Sequence, residues 1–210
     1  FAVVPPPLPQ QQPGPPPLPS DTSQAPGTPP SADQLKQAAI VMGATMGIFA
    51  HELGHALIGE FGIPATGSEE DTADEFSAMI MTSITEGAEF QAMPEEQRRF
   101  LVDMVTYSSL LWYYDAQKST QTGQRVPWYD EHSPSEVRFR NTLCMLYGSD
   151  STLYKTLADK AGLPERERGR CEMDYPKRYR AWETIVAPYA RNQGGEYPGQ
   201  LPADAPGARV

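Results

Sequence analysis

The chain has 210 residues, a formal net charge of −10, 22 prolines and 17 glycines. Excess acid argues against a nucleic-acid binder, which needs clustered Lys and Arg to meet phosphate; it fits a cationic substrate or simple solubility equally well. Two cysteines occur, Cys144 and Cys171, with no Cys-x-x-Cys pair, so a thiolate zinc site is not expected and the count fits either one disulfide or two buried thiols.

Residues 1–32 contain Pro5-Pro6-Pro7 and Pro15-Pro16-Pro17. Such a segment favours polyproline II and builds no core, so a disordered tether is expected, with a spacer or a ligand for a proline-binding domain as the alternative. The chain opens at Phe1 without a basic segment, an apolar segment and a cleavage site, the expectation being a processed or trimmed chain. Residues 191–210 are again rich in Gly, Pro and Ala. Between the two ends lie about 160 residues, the size of one domain that can bury a core.

From Ala32 the pattern turns helical. Residues 33–61 carry apolar positions at spacings of three and four, and Gly62 and Pro64 stop the run. Ala39, Gly43, Gly47, His51, His55 and Gly59 follow one another at intervals of four, which places them in one row on one face. Small residues in that row let another helix come close, and the two histidines continue it. The longest mostly apolar uncharged run, residues 38–50, is shorter than the roughly 20 residues that span a bilayer, so it reads as a core helix.

After a connection over 62–67, Ser68 starts a second helix with Asp71 three residues on, a variant of the capping box; it is expected to reach about Phe90. A third is expected over 94–116, with Phe100, Val102, Val105, Leu110, Leu111 and Trp112 as core packing. Residues 119–132 read as a polar loop ending in Trp128-Tyr129-Asp130-Glu131-His132. Ser133 as N-cap, Pro134 at N1 and Glu136 at N3 then open a helix to about Tyr147, closed by Gly148. Shorter helices are expected near 151–161 and 177–190. No convincing strand and no repeat is present.

His51-Glu52-Leu53-Gly54-His55 carries the chemistry. Histidines four apart on a helix share a face and can reach one zinc ion at about 2.0–2.1 Å, and a carboxylate beside the first can take a proton from water on that metal. The bland alternative is a pair of core or surface histidines. Glu70, opening the next helix, can complete a His₂Glu site when that helix folds back on the Gly/His row. Asp74, one turn further, can accept the N–H of a ligand histidine, and small Ala73 suits close packing. Glu69, Asp71 and Glu75 are rival ligands if the helix is rotated. His132, the third of only three histidines, can donate a hydrogen bond to an oxyanion or stand as a plain loop histidine. Arg138 and Asn141 can line a pocket or decorate a helix surface.

These residues resemble the zincin metallopeptidases whose third ligand is a glutamate, with H-E-x-x-H followed by E-x-x-A-D. The resemblance implies His51, His55 and Glu70 as ligands, Glu52 as general base and Asp74 as the partner of a ligand histidine. The stretch of about 33–190 is similar to a bacterial family of proposed metallopeptidases of unknown function, through the H-E-L-G-H-A-L run, E-E-D-x-A-D, D-E-H-S and C-x-x-x-Y-G-S-D. Such proteins are often exported, and that context, with the proline-rich arm, favours a Cys144–Cys171 bridge. Zincins usually set a small sheet before the metal helix; here only residues 1–4 look strand-like. The expectation is therefore a mainly α, compact helical zincin-like domain over 33–190 with little or no β-sheet, between a disordered arm (1–32) and a flexible tail (191–210). It would be an exported zinc-dependent peptidase acting on a peptide or protein, with no membrane span in the chain. The alternatives are a non-catalytic module that zinc stabilises and a metal-free tethered adaptor.

Overall fold

The computed structural model describes residues 29–65, 67–123 and 126–189. The chain divides into two units, Phe1–Ser31 and Ala32–Val210. The expectations of a disordered arm and a flexible tail fall outside the described residues, save for the arm's last four. Among those described, the second unit has seven helices and no strand: α1 (Ala32–Phe61), α2 (Glu69–Ser83), α3 (Gly87–Ala92), α4 (Glu95–Thr122), α5 (Ser135–Ser149), α6 (Lys155–Lys160) and α7 (Glu165–Val186). None of these is long and apolar enough to cross a membrane.

The row of small residues on α1 sets the packing. A Cβ at Gly43 would collide with the Met104 carbonyl of α4, and one at Gly47 would stand 3.1 Å from Ser108 Cβ. Further along the helix, a Cβ at Gly54 would lie 3.1 Å from Ala73 Cα of α2. Helix α1 thus receives α4 on its first half and α2 on its second, both at near-backbone contact. Ser77 of α2 fastens the crossing by donating to the Gly47 carbonyl at 2.7 Å. The helix stops where Gly62 takes a φ of 63°, a left-handed value that costs glycine little.

Ser68 caps α2: its Oγ accepts the Asp71 N–H at 3.5 Å, and Glu69, Glu70 and Asp71 fill the first turn, where the helix dipole favours acid. Contrary to the expected run to Phe90, α2 ends at Ser83. Thr85 turns back, its Oγ1 bonding the Thr82 carbonyl at 3.1 Å and the buried Tyr154 hydroxyl at 2.9 Å, and Gly87 (φ 81°) lets α3 start separately. Helix α4 overruns its expected end at Ala116 by six residues, because a polar turn facing solvent needs no apolar positions; Gly123, at φ 68°, ends it. Helix α5 begins at Ser135 with Pro134 as its N-cap and no side-chain cap, so Ser133 does not cap it; Ser135 instead donates to Asp115 at 2.6 Å.

Helix α7 starts at Glu165, well before the expected 177, and passes through Pro176. Tertiary anchors outweigh the breaker. Cys171 forms a disulfide with Cys144 of α5, and Gly148 of α5 lies so near Cys171 and Tyr175 that a Cβ would stand 2.6 Å from Tyr175 Cβ. Three apolar clusters fill the interior: Met81, Met104, Val105, Leu146 and Tyr154 between α2, α4 and α5; Phe76, Met79, Met145 and Trp182 between α2, α5 and α7; and Leu143, Tyr147, Ala158 and Leu163 under α6.

Gly43→Ala forces a methyl into a backbone carbonyl and is expected to lower unfolding free energy by about 1–3 kcal/mol. Gly59→Ala meets nothing within 4 Å and should be neutral or stabilise by up to about 1 kcal/mol through helix propensity; urea denaturation of both measures the contrast. Reducing the disulfide, which spans 27 residues of sequence, is expected to cost about 3.5 kcal/mol by the same assay in the chain-entropy account.

Candidate metal centre

The α1–α2 crossing brings two imidazoles and a carboxylate to one point. His51 Nε2 and His55 Nε2 are 3.2 Å apart, Glu70 Oε2 lies 3.2 Å from His51 Nε2, and Glu70 Oε1 lies 3.4 Å from His55 Nε2. His51 is buried, and Glu70 is 15 % exposed at its side chain.

What stands behind each ring decides what the gap between them wants. His51 Nδ1 is 2.9 Å from Asp74 Oδ1, and His55 Nδ1 is 2.8 Å from Glu69 Oε1. A carboxylate can only accept, so in the neutral rings each Nδ1 carries the proton and each Nε2 is left with a lone pair. Three acceptors therefore face one another with no donor among them. Glu70 Oε2 is buried and makes no aligned hydrogen bond, although ring nitrogens stand at 3.1–3.2 Å. His51 Nδ1 also lacks an aligned bond despite its nearness to Asp74.

Such a gap calls for positive charge. Ligands set tetrahedrally at 2.0–2.1 Å from zinc stand about 3.3–3.4 Å apart; the two Nε2 atoms are 3.2 Å apart, and Glu70 meets one with each of its oxygens, at 3.2 and 3.4 Å. The donor set, the spacing and the orphaned carboxylate oxygen all fit a metal ion, and His51, His55 and Glu70 form the one group among the described residues that could hold it.

Behind the site runs a buried relay. Asp74 receives Arg138 Nε and Nη2 at 2.6 Å each, and the Arg138 guanidinium stacks 3.5 Å over the Trp112 ring of α4. Burial pushes the Asp74 pKa up, but the adjacent His51 ring and the Arg138 hydrogen bonds outweigh it and hold the carboxyl below its usual range. The hydrogen bond that His55 donates to Glu69, ahead of the opposing effect of burial, raises the His55 pKa.

The remaining candidates sort by position. Glu52 is exposed and follows His51 directly. His132 Nε2 lies 3.1 Å from Glu70 Oε2 with the side chain 47 % exposed, and Asp130 fixes it by accepting its backbone N–H at 2.9 Å. Ser68 Oγ reaches the Glu131 carbonyl at 3.4 Å, so the cap of α2 also touches the loop that carries His132. Among the rival acids, Glu75 pairs with Arg178 at 3.4 Å and Glu69 sits behind His55. Arg138 is buried on Asp74, whereas Asn141 accepts from the exposed neighbour Arg140 at 2.9 Å. The backing role of Glu69 was hidden by its likeness to a ligand, and the Arg138–Trp112 stack by its spanning two helices far apart in sequence.

A family model described as DUF4344, putative metallopeptidase, matches residues 22–186. No curated protein and no solved structure matches the chain.

Arg138→Met strands the Asp74 carboxylate in the interior and is expected to cost about 3–5 kcal/mol. The double variant Asp74→Asn/Arg138→Met, which removes both charges, should be more stable than Arg138→Met alone; urea denaturation of the metal-free proteins gives the difference.

Proposed function

The chain belongs to that family, DUF4344, and on this premise we propose that it is a zinc-dependent peptidase with zinc held by His51, His55 and Glu70. The observation that carries the reading is the pair of imidazole Nε2 atoms and the Glu70 carboxylate, three acceptor groups within 3.2–3.4 Å of one another. Zinc in such a site acidifies a coordinated water to a pKa of about 7 and polarises a carbonyl.

The chain's own residues supply the rest. Glu52, one residue past the first ligand and open to solvent, is the general base: it takes the proton of the attacking water and passes it to the leaving amine. His132, on the exposed side of Glu70 and braced by Asp130, donates a hydrogen bond to the oxyanion as the carbonyl becomes tetrahedral. Asp74 fixes the tautomer of His51, and Arg138 keeps Asp74 ionised and in place.

With His51, His55 and Glu70 holding it, a tetrahedral ion would keep one position for water. That number supports catalysis over a zinc-stabilised interaction module, which would close the site with a fourth ligand; His132 approaches Glu70 but stands outside the mutual group. The Cys144–Cys171 disulfide supports an oxidising compartment, so we place the protein outside the cytoplasm.

Glu52→Gln is expected to lower the rate of peptide hydrolysis by about 10²–10⁴-fold while the protein retains one zinc per chain by elemental analysis. Full activity in that variant would remove Glu52 from the reaction, and wild-type protein purified without added zinc or chelator that holds no metal would defeat the reading altogether. His132→Ala should reduce kcat by about 10²-fold with KM little changed, as expected for a donor that acts on the transition state.

A further inference from the structure

We propose that Glu69 is the positioning residue of the second ligand histidine, holding His55 through Nδ1 so that its Nε2 is presented to the metal. The proposal rests on the zinc reading above and deepens it by adding a residue of this chain to the site.

The geometry separates the two consecutive glutamates of the α2 first turn. Glu70 turns its oxygens toward the Nε2 atoms of both histidines, at 3.2 and 3.4 Å. Glu69 meets the other edge of the His55 ring, with Oε1 2.8 Å from Nδ1. An oxygen at Nδ1 cannot share the cation with the Nε2 of the same ring, because the two nitrogens point to opposite sides. Glu69 is therefore not a competing ligand. As an acceptor at Nδ1 it selects the tautomer whose Nε2 lone pair is free, and it fixes the ring's rotation.

The two histidines differ in how much else holds them. The His51 ring has a side-chain exposure of 9 % and is backed by Asp74, itself clamped by Arg138. The His55 ring is 25 % exposed, and the 2.8 Å bond to Glu69 is its one contact on the Nδ1 edge among the described interactions. Its edge-on packing against His51, with centroids 4.8 Å apart and planes at 81°, sets the tilt of the ring but does not choose which nitrogen carries the proton. Removing Glu69 thus frees the tautomer and the rotation of one ligand, and the cost falls on metal affinity.

The test is a zinc titration of chelator-stripped protein against a chromophoric competitor at fixed pH. The set comprises wild type, Glu69→Ala, Glu69→Gln and Glu75→Ala, the last an acid of the same helix that pairs with Arg178. Glu69→Ala is expected to weaken zinc binding about 10–100-fold at an unchanged stoichiometry of one. Glu69→Gln, whose amide oxygen still accepts from Nδ1, should recover part of that loss, and Glu75→Ala should match wild type. All four metal-free proteins should melt together, since Glu69 is more than half exposed at its side chain. Affinity of Glu69→Ala within twofold of wild type would overturn the proposal while leaving the zinc reading standing. So would loss of a zinc-bound oxygen in the X-ray absorption of zinc-loaded Glu69→Ala, which would make Glu69 a ligand. Wild-type protein that takes up no zinc would overturn both.

Discussion

Gly54 of α1 and Ala73 of α2 meet where the two helices cross, and the reach of Glu70 depends on that meeting. A carboxylate on a second helix touches a histidine pair on the first only if the two backbones come close, and here a single Cβ at Gly54 would stand 3.1 Å from Ala73 Cα. The same economy of side chains recurs up the helix, where Gly43 and Gly47 admit α4. Two neighbours therefore grip α1 along one face and leave the face with Glu52 free. His51, His55 and Glu70 inherit their spacing from this backbone contact, not from any property of the imidazoles.

Acid is concentrated where the fold can use it. Glu69, Glu70 and Asp71 favour the positive end of α2, and in the same turn Glu69 and Glu70 face the histidines from two sides. Asp74, one turn deeper, would be costly to bury alone; Arg138 answers it with two 2.6 Å bonds and rests on Trp112. The site thus joins α1, α2, α4 and α5 into one network, with the acceptor-rich gap at its open end.

Much of this was legible. H-E-x-x-H on a helix, the small residues four apart, the cap at Ser68 and the acids of E-x-x-A-D are local patterns. Each fixes a spacing or a face, and together they imply a helix folded back on the histidine row. What escaped was set by contacts between distant segments. The break after Ser83 depends on Thr85 bonding Tyr154, some 70 residues away. The passage of α7 through Pro176 depends on Cys171 and on the close approach of Gly148. The extension of α4 to Thr122 has no apolar signature because that turn packs on nothing that requires one. Glu69 was read as a possible ligand because sequence shows that an acid is near a histidine and not which ring nitrogen it meets.

The two carboxylates behind the histidines also sit in different dielectric surroundings. Asp74 and Arg138 are shut away from solvent, beyond the reach of mobile ions, whereas the Glu69 side chain is 54 % exposed beside His55. Dissolved salt screens exposed charges with a decay length of about 10 Å at 0.1 M ionic strength and acts far less on buried ones. Water and dissolved ions therefore reach the carboxylate behind the outer imidazole and not the one behind the inner.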